Sequence, residues 1–176
     1  SMSNLCQEIT LPTTPIQDIH DEQGEIALCI LSAVNVGALN DLSELENICD
    51  LSVRALEQII DYQDYPVRAA EVSTKKRRSL GIGYIGLAHY LAKNGVKYSD
   101  PKAWELVDRL SEAFQYHLLR ASCDIAIEKG KCEGFERTKY ADGLLPIDHY
   151  KKEVDEIVPH KQRMAWESLR KDIAKY

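Results

Sequence analysis

The run EIALCILSAVNVG, residues 25–37, limits the fold more than any other part of the chain. Its centre is continuously apolar and rich in Ile, Leu and Val, a pattern suited to a strand buried on both faces. Cys29 sits in the middle of that predicted strand.

After it the period changes. Ser43 with Glu46 three residues on reads as a capping box, and Leu45, Ile48, Leu51, Val53, Leu56, Ile59 and Ile60 then recur at helical spacing. This predicts a helix over 42–62, broken before Pro66. Gly81, Gly83 and Gly86 spell GxGxxG, which a dinucleotide fold places after a strand and a tight turn. The stretch before it is charged and irregular, including the basic run Lys75–Arg78, so the glycines are read as close packing where a helix over 84–94 begins, capped by Asn94-Gly95. The basic run is read as a solvated loop that could face a phosphate or a partner subunit. Asp100 or Ser99 before Pro101 opens the longest helix, 101–129, with a core stripe through Trp104, Val107, Leu110, Phe114, Leu118, Ala121 and Ile125. A last helix is expected over 165–175. The predicted fold class is mainly α with a few short strands.

With 176 residues the chain is long enough for one domain with a sizeable core. Its 28 acidic against 22 basic side chains argue against non-specific nucleic-acid binding. The longest apolar runs are too short to span a bilayer, and no secretory signal is read. The expected location is cytoplasmic, with neither a membrane nor a nucleic acid as partner. Five cysteines at wide spacing, with no CxxC pair, suggest neither a disulfide scaffold nor a zinc site. The question is which thiols do chemistry.

The N-terminal stretch SNLCQEI, residues 3–9, offers an answer. In an extended segment alternate residues point the same way, so Asn4, Cys6 and Glu8 would line one face and Leu5, Gln7 and Ile9 the other. An amide, a sulfur and an acid/base would then converge on one small space. Residues 13–24 follow as a polar, turn-rich loop. Ser1 and Met2 read as a processing scar outside the fold.

SNLCQEI, EIALCILSAVNVGAL, VRALEQIIDYQDYP, KRRSLGIGYIGLAHYLA and LRASCDIAIEKG together closely resemble the large, catalytic (alpha) subunit of class I ribonucleotide reductase, nearest its bacterial and phage branch. The resemblance covers the whole chain after residue 2. It implies a sector of a ten-stranded α/β barrel whose catalytic cysteine sits on a loop threading the centre. Residues 3–24 would be catalytic loop and linker, 25–37 a buried barrel strand. It also implies an oxidoreductase that converts ribonucleoside diphosphates to deoxyribonucleoside diphosphates for DNA synthesis. Cys6 would carry a transient thiyl radical that takes hydrogen from C3′. Glu8 would take the proton of the 3′-hydroxyl, while Ser3, Asn4 and Glu8 would bind the substrate. Cys29 would be one of two thiols that reduce C2′ as water leaves and end as a disulfide. Cys49, Cys123 and Cys132 are expected to be structural, and no metal is expected on this chain.

The same resemblance implies that the radical cofactor and its metal centre lie on a separate small subunit, and that thioredoxin or glutaredoxin restores the dithiol. Family elements without a counterpart here include the nucleotide-sensing domain, the second thiol for Cys29, the paired radical-carrying tyrosines and the C-terminal shuttle cysteines. The expectation is therefore a fragment inactive alone, which would need the remaining large-subunit segments and the small subunit, and which would tend to self-associate. Two rivals stand beside it. One is a truncated, non-catalytic helical module that binds reductase subunits. The other is a small nucleotide-binding protein using Gly81–Gly86.

Overall fold

In the computed structural model, which describes residues 1–4, 6–7, 9–157 and 161–176, the chain is mainly helical with two small sheets. The organising unit is a parallel pair, β3 (Ile30–Asn35) and β4 (Leu80–Ile85), in register from Ile30 opposite Leu80 to Asn35 opposite Ile85. Between them run α1 (Glu44–Tyr62) and α2 (Arg68–Arg77). After β4 come α3 (Leu87–Lys93), the long α4 (Pro101–Lys129) and the terminal α5 (Trp166–Lys175). The main core joins Val34 and Val36 to Leu45 and Cys49 of α1, Leu91 of α3, and Leu110 and Phe114 of α4. A second cluster gathers Cys123, Leu145, Trp166, Leu169 and Ile173 under α5.

Several expectations need correction. The strand is shorter than 25–37, and Cys29 lies immediately before it rather than in its middle. Only one face of β3 is covered: Val34 is buried against α1 and α4, whereas Leu31 on the opposite face is about half exposed. Helix α1 begins at Glu44, not 42, and Ser43 caps nothing with its side chain. Asp41 instead accepts the Ser43 N–H at 2.8 Å, an Asx turn that holds the chain out of the helix for two more residues.

The predicted helix over 84–94 is β4 up to Ile85 and α3 only from Leu87. Strand wins because Ile82 and Tyr84 alternate onto the core side, where the Tyr84 ring meets Phe114 edge-on at 5.4 Å and its hydroxyl lies 3.1 Å from Ser111. A strand, a turn and a helix thus do follow one another at GxGxxG. However, Gly81 and Gly83 lie within the strand, and only Gly86 forms the turn, at φ +80°. A methyl group there would collide with Asn35 Oδ1, the atom that accepts the Gly37 N–H at 3.1 Å. Gly86→Ala is therefore expected to cost about 2 kcal/mol, read as a lower urea midpoint at unchanged m-value.

The basic run is not a loop. Lys75, Lys76 and Arg77 form the last turn of α2, and Arg78 caps it in the left-handed region at φ +48°. Each cation meets a carboxylate: Lys75 with Glu71, Lys76 and Arg77 with Glu25, and Arg78 with Glu57 and Asp61. The charges are committed to holding α2, α1 and the N-terminal segment together.

Met2 and Ser3 are also part of the fold. They form β1 (Met2–Ser3), antiparallel to β2 (Thr10–Leu11), and Met2 Sδ accepts the Ala27 N–H at 3.3 Å. Backbone pairing with Leu11 and Thr10 makes Met2 and Ser3 structural residues.

Candidate functional site around Asn4 and Cys29

The β1–β2 hairpin carries Asn4 to Ile9 between its strands. It does not run extended through its tip, as the alternating pattern predicted. The Asn4 carbonyl accepts the Gln7 N–H at 3.1 Å, and Gln7 adopts φ +61°, so the chain reverses over Asn4–Gln7. A reversal ends the period of two: Asn4 points inward and is buried, whereas Cys6 stands exposed on the turn. Glu8, expected to share their face, lies outside the described residues, as does Leu5. Ser3 is exposed, and its hydroxyl donates to the Asn4 carbonyl at 3.2 Å.

Asn4 is the pivot of the site. Its Nδ2 donates to Sγ of Cys29 at 2.8 Å, and its Oδ1 accepts the Ile9 N–H at 3.2 Å. The amide thus fixes the hairpin from within and reaches across 25 residues of sequence to the thiol that precedes β3. The structure brings Asn4 and Cys29 into contact, with Cys6 one turn from Asn4. None of the five cysteines is bridged by a disulfide.

Sequence reasoning missed what anchors this arrangement. Glu25 is almost wholly buried and accepts from the Thr14 N–H at 2.9 Å and from Arg77 at 2.7 Å, with Lys76 at 3.4 Å. The Glu25 N–H in turn donates to the Thr14 carbonyl at 2.9 Å, and the Ile26 N–H to Ala69 of α2 at 3.1 Å. Residues 14–25 are so closed into a loop, whose interior Asp21 satisfies by taking the N–H groups of Gln17, Gln23 and Gly24. Burial alone pushes the Glu25 carboxyl up, but the hydrogen bonds and charges of Arg77 and Lys76 outweigh it, and the net displacement is downward. The available signal was an acid heading an apolar run, since a buried charge needs a partner. Glu25→Gln keeps an acceptor for Thr14 but leaves Arg77 buried without its counter-charge. The expected loss is about 2 kcal/mol in urea unfolding.

Of the remaining thiols, Cys49 and Cys123 pack in the two core clusters, and Cys132 is half-buried. Cys49 is fully buried and pushed up to about 12, and burial also raises Cys123 and Cys132. Among the described residues no group of three or more His, Cys, Asp or Glu could hold a metal, and no helix is long and apolar enough to cross a membrane.

Comparison with known proteins adds the family context. The family model "Ribonucleotide reductase, barrel domain" matches residues 1–176. A ribonucleoside-diphosphate reductase subunit alpha of Haemophilus influenzae is 58% identical over 174 residues, 99% of this chain and 23% of that relative. The ribonucleoside-diphosphate reductase 1 subunit alpha of Escherichia coli is 54% identical over 171 residues, 97% of this chain and 22% of its own length. The corresponding subunit of Enterobacteria phage T4 is 41% identical over 173 residues, again 97% and 22%. The chain therefore spans less than a quarter of the length of these relatives.

Proposed function

We propose a function from one premise: this chain belongs to the ribonucleotide reductase barrel-domain family. It contributes the catalytic hairpin and one reducing thiol to a ribonucleoside-diphosphate reductase large subunit, as a sector of that subunit's ten-stranded barrel. The observation that carries the reading is the 2.8 Å contact between the Asn4 amide and the Cys29 sulfur, two residues far apart in sequence.

In this reading Cys6, exposed on its turn, takes hydrogen from C3′ of the bound ribose as a transient thiyl. Glu8 accepts the proton of the 3′-hydroxyl, and Asn4 and Ser3 hydrogen-bond the sugar. Cys29 and a second thiol from the rest of the subunit give up two electrons as water leaves C2′, and close a disulfide. An S–H bond is weak enough for hydrogen to pass reversibly between sulfur and carbon. A carboxylate shielded from water serves as base near neutral pH. Cysteines unbridged by disulfides fit a reducing compartment, and we place the reaction in the cytoplasm. The radical cofactor with its metal belongs to the small subunit, and thioredoxin or glutaredoxin supplies the reductant.

The test is reconstitution. This chain would be mixed with the remaining large-subunit segments, a small subunit and a dithiol reductant, and conversion of cytidine diphosphate to its deoxy form followed. Turnover that requires the chain supports the reading. Association of every folded piece without turnover would leave the chain a binding module.

A further inference from the structure

The proposed chemistry leaves one deeply buried charge without a role. The Glu25 side chain is 1% exposed, and its Arg77 partner, in the last turn of α2, is 10% exposed. Burying such a pair costs free energy that well-packed apolar side chains in the same space would not. What the charges add is direction. Glu25 Oε2 accepts the Thr14 N–H at 2.9 Å and the Arg77 guanidinium at 2.7 Å, while Lys76 Nζ lies 3.4 Å from Oε1.

These bonds sit where the two thiol-bearing segments meet. Thr14 follows β2 closely, at the exit of the hairpin that carries Cys6, and Glu25 stands shortly before Cys29. The backbone repeats the tie, with the Glu25 N–H on the Thr14 carbonyl at 2.9 Å and the Ile26 N–H on Ala69 of α2 at 3.1 Å. Further along, the same two segments meet twice more. The Ala27 N–H donates to Met2 Sδ at 3.3 Å, and Asn4 Nδ2 to Cys29 Sγ at 2.8 Å. The hairpin and the approach to β3 thus form a closed ring of contacts, which Glu25 fastens to α2.

We propose that Glu25 is a positioning residue for ribonucleotide reduction, an inference that rests on the reductase chemistry proposed above. Held by Arg77, it sets where Cys29 stands relative to Asn4 and Cys6. Misplacing a reacting group by about 1 Å can cost on the order of a hundredfold in rate, so a clasp that touches no substrate still governs turnover. Glutamine at position 25 accepts from Thr14 but meets the guanidinium without charge. The ring then loosens while its backbone bonds keep it closed.

Glu25→Gln would be compared with Gly86→Ala, whose expected stability loss is of similar size but whose site lies at the opposite end of the β3–β4 pair from Cys29. A merely structural role predicts the same behaviour for both. The first arm labels the native chain with iodoacetamide, and protection of the buried Cys49 confirms that the folded form is reacting. Glu25→Gln should speed labelling of the half-buried Cys29 relative to Cys6 at least about fivefold, and Gly86→Ala less than about twofold. The second arm follows cytidine diphosphate reduction by a complete large subunit with its small subunit. There Glu25→Gln should lower kcat at least about tenfold, and Gly86→Ala less than about twofold. Unchanged Cys29 labelling in Glu25→Gln overturns the proposal whatever the reductase assay gives, and so do equal kcat values in the two variants. Absence of turnover in the wild type overturns the reductase reading and the positioning role with it, an outcome that the wild-type control tells apart. If Glu25→Gln fails to fold, Arg77→Lys, which keeps the charge but loses the planar fork, meets the same two criteria at about threefold or more.

Discussion

Cys6→Ser in a complete large subunit is expected to remove ribonucleotide reduction, by more than about a thousandfold, while leaving the fold of this segment intact. The two halves of the expectation have separate physical grounds. Serine is nearly isosteric, and Cys6 is exposed on a turn held by backbone bonds and by Asn4, so the melting curve should move by less than about 0.5 kcal/mol. The chemistry depends on the sulfur: an O–H bond is far stronger than S–H, so a serine oxygen radical would not form under conditions that generate a thiyl. Exposure also predicts the order of thiol labelling in the native chain. Cys6 should react first, and Cys49, buried and pushed up to about 12, should stay protected until unfolding. Nucleotide reduction that survives in the serine variant would sink the assignment of the radical to Cys6.

What could be read from sequence divides along the range of the interactions. The limits of α4 are local: Pro101 fits its first turn, and Gly130 with φ +90° ends it. The α1 stripe is legible in part: Leu45, Val53, Leu56 and Ile60 bury themselves at helical spacing, whereas Leu51 and Ile59, expected in the same stripe, stand exposed and Cys49 is buried in their place. The reading failed where distant partners decide. Leu80–Ile85 is a strand because β3 pairs with it, and glycine-rich propensity gives no notice of that. Lys75–Arg78 looked solvated because its carboxylates are scattered over Glu25, Glu57, Asp61 and Glu71.

The site shows the same division. The residue types at Asn4, Cys6 and Cys29 were legible as a set of chemical groups. Their geometry was not, because it depends on a turn closed between Asn4 and Gln7 and on a hairpin whose first strand includes Met2. Period-two reasoning assumes that the strand continues, and here the reversal turns Asn4 inward and Cys6 outward. The Glu25 anchor shows the limit most clearly, since its Arg77 partner lies 52 residues away.

Glu112→Ala should be the most destabilising of the substitutions considered, at about 4 kcal/mol. Glu112 lies midway along α4 with its side chain 2% exposed, and it gathers four donors from one distant segment. The Arg163 and Met164 N–H groups reach its Oε1 at 2.7 and 3.2 Å, Trp166 Nε1 at 3.0 Å, and the Arg163 guanidinium its Oε2 at 3.1 Å. Alanine leaves these donors without their acceptor and removes the tie between α4 and the start of α5, around which Leu145, Leu169 and Ile173 pack. Burial pushes the Glu112 carboxyl up, yet the donors prevail and its pKa lies below the ordinary 4.5. A depressed folded-state pKa means that the contribution is full above about 4.5 and is lost as the pH falls through the folded value. Urea unfolding followed by tryptophan fluorescence should therefore show wild type and Glu112→Ala far apart at pH 7 and converging in acid. Glu112→Gln, which keeps an acceptor for Trp166 but not the charge, should fall between them and lose that pH dependence. A constant gap from pH 7 to pH 3 would mean that the carboxylate's charge contributes nothing, and that Glu112 acts there only as a filler of space.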